Sequence, residues 1–298
     1  MWIIRHTRIF ISLAVIFVLA AVIILGIKGV RPSIEFTGGS AVEISYNENT
    51  PELAVVQETL DHFDFAASVQ SLGDTHYLIR TRELSESDRA VLLESLTFEN
   101  ATPSLERLNT IGPTVGQELR SKAFLSMILV ALGIIIFIAF AFRTVARPVA
   151  SWKYGVIAVV ALIHDVIIPL GIFALLGKEA NTLLVVGLLS ILGLSVNDTI
   201  VVFDRIRENL KINLEKEIVE PFKDVVGRAI NQTMARSINT SMTLLVVLGV
   251  LWFVGPVATQ DLALVLFLGT FFGTYSSIFV ASPLLVLWNN WDQKKEDK

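Results

Sequence analysis

The stretch Leu183-Leu184-Val185-Val186-Gly187-Leu188-Leu189-Ser190-Ile191-Leu192-Gly193-Leu194-Ser195-Val196-Asn197-Asp198-Thr199-Ile200-Val201-Val202-Phe203 decides the class of this chain. It carries one charge, Asp198, and a helix needs about 20 mostly apolar residues to cross a hydrocarbon core about 30 Å thick. Working outward, residues 9–27, 123–142, 154–176, 238–257 and 262–287 have the same character, which predicts six membrane-spanning helices. Composition agrees: 53% of the 298 residues are hydrophobic, 17% are charged, and the mean hydropathy is +0.64. The first span follows Arg5 and Arg8 as a secretory signal would. Its apolar run, however, exceeds the usual length of about 7–15 residues, and Gly26-Ile27-Lys28-Gly29 offers no cleavage pattern, so it reads as a retained anchor.

Charge sets an expected orientation, because Lys and Arg stay on the cytoplasmic side. Arg5 and Arg8 mark the N-terminus as inside, and Arg143, Arg147 and Lys153 mark the connection between the second and third spans. The short links 177–182 and 255–261 lack such an excess and belong outside. So does the long segment 28–122, with 8 basic and 15 acidic residues. Both termini are then cytoplasmic. A formal net charge of −4 argues against nucleic-acid binding, and the absence of cysteine excludes disulfides, thiolate metal sites and a cysteine nucleophile.

Residues 28–122 have a pattern of their own. Val42, Ile44 and Tyr46 alternate with Glu43 and Ser45, the period of a half-buried strand. Leu53, Val56, Leu60 and Phe63 then share a helical face, with Pro51 expected at the first helical position. Strands are expected over 66–72 and 76–81 across the Gly73-Asp74 turn. Ser85 with Asp88 caps a second helix through about Phe98, and residues 104–111 return as a strand. The order β-α-β-β-α-β is that of a ferredoxin-like α+β domain. The resulting division is an N-terminus and first span over 1–27, an extracytoplasmic domain over 28–122, a five-span bundle over 123–291 and a cytoplasmic tail over 292–298. Within the bundle, residues 204–236 place Ile206, Leu210, Leu214 and Ile218 four apart. They read as an amphipathic helical stretch interrupted near Pro221, lying on the membrane surface or on a partner.

Of 28 acidic residues, only Asp165 and Asp198 fall inside predicted spans. A carboxylate at a span centre costs about 2.5–3.5 kcal/mol on insertion scales and normally faces a bundle interior or a wet path. Counted from the inner span ends, the two sit roughly 16 and 8 Å deep, at different levels. His164 precedes Asp165, while Ser195, Asn197 and Thr199 surround Asp198, with Ser195 on its face. Arg236, Asn239, Thr240 and Thr243 follow helical spacing into the fifth span and form one polar stripe. The functional reading is a proton or cation pathway through Asp198, Arg236 and Asp165, in which movement of the guanidinium relative to the carboxylate switches its hold on a proton. The plain alternative is interhelical hydrogen bonding with a snorkelling Arg, and His164 fits that alternative as a polar partner of Asp165.

Enzymatic readings fit poorly. An intramembrane aspartyl dyad needs two carboxyls sharing one proton, which the depth offset forbids. Ser195 lacks the glycine that a nucleophile elbow would have at position 197. The run Phe36-Thr37-Gly38-Gly39 is a turn into a strand rather than a phosphate cradle, and His6, His62 and His76 have no ligand spacing.

Three motifs together carry a resemblance: Ile34-Glu35-Phe36-Thr37-Gly38-Gly39 after the first span, Ile111-Gly112-Pro113-Thr114-Val115-Gly116 before the second, and Val196-Asn197-Asp198-Thr199-Ile200-Val201-Val202-Phe203-Asp204-Arg205-Ile206-Arg207-Glu208-Asn209. With His164-Asp165, Arg236-Ser237, Thr240-Ser241 and Gly273-Thr274-Tyr275-Ser276-Ser277, the chain resembles the SecF family over essentially its full length. Leu194 and Glu35 depart mildly from its usual Tyr and Asp. The resemblance implies a six-span subunit of the resistance-nodulation-division type. It implies a separate SecD partner and use of the proton motive force, with Na⁺ as the alternative ion and no other cofactor. The implied task is late preprotein movement through SecYEG, with SecA upstream and YajC and YidC as further associates. It also implies that Asp198 and Arg236 occupy positions tied to proton movement. The competing class is a drug or lipid exporter of the same superfamily, and the third is a passive scaffold.

Overall fold

The computed structural model describes residues 2–47, 49–62, 67–98, 101–141 and 148–296. They form two compact units, one of residues 1–31 with 125–298 and one of residues 32–124. The chain begins with α1 (Thr7–Lys28), whose only buried residues are Thr7, Ala14 and Ala21, one heptad apart. Ile9, Ile16 and Ile23 lie on its exposed side, as an apolar solvent requires.

The second unit runs β1 (Gly39–Tyr46), α2 (Leu53–Asp61), β2 (Ser68–Ser71), β3 (His76–Thr81), α3 (Glu86–Ser95) and β4 (Pro103–Ile111). The strands form one antiparallel sheet in the order β2-β3-β1-β4, the ferredoxin-like topology. Val42, Ile44 and Tyr46 pack fully buried against Val56 and Leu60 of α2 and Leu92 of α3. This core follows from the period-2 and period-3.6 patterns meeting on one face. The Tyr46 hydroxyl donates to the Leu96 carbonyl at 2.9 Å, and burial raises its pKa above the ordinary phenol value. At the head of α3, Ser85 and Asp88 form a reciprocal capping box.

Three details differ from expectation. Pro51 lies outside α2, where its carbonyl accepts from the Tyr77 hydroxyl at 2.5 Å, and Glu52 takes the N-cap. Helix α3 ends at Ser95, and Phe98 instead bridges to Ala101. Gly38 and Gly39 have φ of 76° and 127°, and a Cβ on Gly38 would come within 2.7 Å of Pro113, so the turn before β1 lies against the start of the helix that follows β4. The expected positions of Phe63 and Ala66 lie outside the described residues.

Next come α4 (Pro113–Ala141), α5 (Ser151–Leu175), α6 (Thr182–Glu215), α7 (Phe222–Val254) and α8 (Val257–Ser276). A π-helical turn (Ser277–Ala281) then leads into α9 (Ser282–Glu296). Six helical runs are long and apolar enough to cross a membrane, the last being Val257–Lys295. Phe142, Arg143 and Arg147 lie outside the described residues. The fifth span stops at Val254 rather than 257, because Pro256 cannot continue a helix and instead precedes α8.

Residues 204–236 do not form a separate surface helix. They are the continuations of α6 and α7, folded into a hairpin around the turn 216–221. Its buried face on α6 is Ile206, Asn209 and Asn213, while Leu214 is 81% exposed and Ile218 is also exposed. Polar pairing holds the hairpin: Arg228 donates to Glu220 at 2.6 Å and to Asn213 at 3.0 Å, and Asn209 donates to Gln232 at 3.0 Å. An apolar count of every fourth residue could not see that asparagines, not leucines, make the seam. At the same end of the bundle, Arg207 donates to the Ala141 carbonyl at the end of α4, where a cation meets the negative end of the helix.

Candidate functional site

Helix α5 places Asp165 in the interior with none of its surface exposed. Pro169, four residues on, has no N–H to return to the Asp165 carbonyl, so the helix is locally loosened there. The Asp165 carboxylate collects three partners. Ser276 of α8 donates to it at 2.7 Å, His164 lies at 2.8 Å through Nδ1, and Ser195 of α6 donates to it. His164 is itself buried, stacks on Tyr275, and among the described residues has no partner for Nε2.

One turn along α6 is Asp198, part-buried, which accepts from Ser241 of α7 at 3.1 Å. Ser241 in turn accepts from Thr274 of α8 at 2.6 Å. Thr199 is buried on the next face and pairs with Ser277 at 2.8 Å, where the π-helical turn begins. Such turns often mark functional positions in helices. Close approach of α6 and α8 depends on Gly273: a Cβ there would stand 3.0 Å from the Ser195 Cβ.

The two carboxylates thus sit about one turn apart in level, each with its own hydroxyl partners from neighbouring helices, and several expected placements are revised. Ser195 faces Asp165 rather than Asp198. Because Ser195 and Asp198 are three residues apart, the level of Asp165 and that of Asp198 differ by only about 4.5 Å along α6, not 8 Å. Depths counted from apolar ends failed because α6 runs on to Glu215, well past its apolar part. Arg236 is exposed and forms no ion pair with Asp198 among the described residues. Asn197, Asn239 and Thr240 are exposed as well, so the stripe of Arg236, Asn239, Thr240 and Thr243 is not the face of α7 that packs inward. That face carries Ser237 and Ser241, one residue further along.

A cavity of about 60 Å³ opens beside Asp198, lined by Asn197, Thr240, Ser241, Thr270 and Thr274 among others. It has room for a small ion or one or two waters. Among the described residues, no three His, Asp or Glu side chains group as a metal site. The residues that sequence reasoning passed over as site members are Ser241, Thr270, Thr274 and Ser276. Their available signal was small hydroxyls at helical spacing, Thr270-Thr274-Ser277 and Ser237-Ser241, inside spans that are otherwise apolar.

The arrangement can hold a proton or cation at Asp198, reached from a small cavity, with a second fully enclosed carboxylate one turn away. Comparison with known proteins then places the chain. The family described as "Protein export membrane protein SecD/SecF, C-terminal" matches residues 93–291. The protein translocase subunit SecF of Thermobaculum terrenum is 37% identical over 97% of this chain and 94% of that one. The corresponding subunit of Anaerolinea thermophila is 34% identical over 94% and 92%. The crystal structure of SecDF, a translocon-associated membrane protein from Thermus thermophilus, superposes with a TM-score of 0.82 at 35% identity, covering 96% of this chain and 38% of that one. A super-membrane-facing form of SecDF matches with a TM-score of 0.68 over 99% of this chain and 39% of that one.

Proposed function

This chain belongs to the SecD/SecF family of protein-export membrane proteins, and from that premise we propose that it is the SecF half of an ion-driven export device. It works with SecD as a separate chain, beside SecYEG and downstream of SecA, with YajC and YidC as further associates, in the bacterial cytoplasmic membrane. The unit of residues 32–124 faces outward to the emerging preprotein, and the α6–α7 hairpin and both termini face the cytoplasm. The observation that carries this reading is Asp198, a carboxylate inside a span that accepts from Ser241 of α7, which itself accepts from Thr274 of α8, beside a small cavity. Loading and unloading that carboxylate from opposite sides, with Asp165 as an enclosed second acid, couples the ion gradient to movement of the spans and of the outer domain.

Need for a partner is supported by the exposed stripe of α7. Thr240 and Thr243 return their hydroxyls to carbonyls of α7, but Arg236 and Asn239 cannot face acyl chains cheaply, so a second polar helix surface is expected there. In that arrangement Arg236 acts on the ion pathway at the junction of two subunits. The test is Asp198→Asn, reconstituted with SecD and the translocon in inverted vesicles. Assembly should be intact and gradient-stimulated export of precursors lost. Export at the normal rate would return the chain to a scaffold role.

A further inference from the structure

Two stretches singled out in the sequence, residues 34–39 and 111–116, have no part in the carboxylate site, and the structure brings them together. Ile34–Thr37 forms a single helical turn capped by Ser33, whose hydroxyl accepts from the Glu35 amide at 3.2 Å. That turn lies against the first turn of α4 with no side chain between them. A Cβ on Gly116 would come within 2.8 Å of the Gly38 nitrogen, and one on Gly38 within 2.7 Å of Pro113. On the other side, a Cβ on Gly39 would come within 2.5 Å of the Thr81 carbonyl oxygen of β3. Gly39 also pairs with Ile111, so β1 and β4 run straight into the joint. Backbone wedged on both sides leaves the joint no slack.

Helix α4 leaves this joint and continues without a break to Ala141. Among its described residues two are buried, Gly116 and Ile138, 22 residues or about 33 Å apart. The second of these points packs on α6: Ile138 shares one cluster with Val202, Phe203 and Ile206, and Arg207 donates to the Ala141 carbonyl at 3.0 Å. Asp198 lies on that same helix, nine residues from Arg207. Helix α1, the other chain connection to the unit of residues 32–124, instead packs on α5, where a Cβ on Gly171 would stand 2.6 Å from that of Ala21. We propose that α4 is a connecting rod, gripped by α6 at its C-terminal end and fixed to the unit of residues 32–124 at its start, so that displacement of α6 at Asp198 is delivered to that unit through α4. The proposal rests on the reading of Asp198 as the coupling carboxylate and names the element that transmits its effect.

The test keeps the length of the rod and removes its stiffness. In the full chain, reconstituted with SecD and the translocon in inverted vesicles, residues 121–124 are replaced by four alanines or by four glycines, the best helix former and one of the worst. None of Ser121, Lys122, Ala123 and Phe124 is buried. The alanine chain should keep gradient-stimulated export, and the glycine chain should lose it while still copurifying with SecD. Arg207→Leu, which releases the Ala141 carbonyl and leaves residues 32–124 untouched, should show the same loss with assembly intact. Normal stimulation in the glycine chain or in Arg207→Leu, or equal loss in the glycine and alanine chains, would overturn the proposal. Should the glycine chain fail to assemble, Arg207→Leu decides alone. Each of these results would leave the coupling role of Asp198 standing, because that role is decided separately by whether Asp198→Asn still exports.

Discussion

Removing the carboxylate of Asp165 should loosen the bundle more than any other polar substitution within it. In Asp165→Ala, three partners lose their acceptor, but not equally. Ser276 also reaches the Gly273 carbonyl at 3.1 Å and can settle there. The Ser195 hydroxyl has Asp165 as its hydrogen-bond partner, and so does His164 through Nδ1, while the His164 Nε2 is already unsatisfied. Two buried groups are therefore stranded, each costing about 1–3 kcal/mol, for a loss of about 2–6 kcal/mol. At about 2–4 °C per kcal/mol for a protein of a few hundred residues, melting in detergent should fall by roughly 4–24 °C. Asp165→Asn keeps one acceptor oxygen and nearly the same shape, so it should lose less than half as much. If the alanine variant melts within a degree of the parent, the hydroxyls re-pair freely and Asp165 does not hold α5, α6 and α8 together.

Arg236→Ala, by contrast, should leave the melting temperature of the isolated chain unchanged, since the side chain is exposed and makes no ion pair with Asp198, yet should remove gradient-stimulated export; a drop of several degrees would instead make it a packing residue of α7. In the unit of residues 32–124, the hydrogen bond from Arg82, with the capping contacts of Ser85, holds the Asp88 carboxyl at about 2 instead of 3.8. Its folded value lies below the unfolded one, so its support for α3 is complete above about pH 4 and is lost as the pH falls through about 2. Carbon-13 titration of that carboxyl should show the low midpoint, and Arg82→Gln should move it toward 3.8; an unmoved midpoint would assign the shift to the cap alone.

The fold was legible because its signals are periodic and redundant. Each span announces itself by length, and Val42-Ile44-Tyr46 with Ser85-Asp88 fixes a strand and a cap from a handful of side chains. The site was legible in part. Asp165 and Asp198 stand out because charge is costly in lipid, and His164 beside Asp165 is found bonded to it. The partners across helices were hidden, because a serine in a span looks the same whether it faces a carboxylate or its own backbone. Rotation of α7 was misread for a related reason: Arg236, Asn239, Thr240 and Thr243 do lie on one face, but spacing cannot say which way that face turns, and Ser237 and Ser241 turn inward.

The continuity of α6 has a mechanical consequence. Asp198 and Glu215 lie on one unbroken helix, separated by 17 residues or about 26 Å. A rocking of about 5° with its fulcrum at Asp198 would sweep the far tip through about 2 Å, and the Arg228–Glu220–Asn213 clasp ties α7 to the same stroke. The hairpin is in effect a rigid crank, on which an event at a single carboxyl group is legible to whatever touches its end.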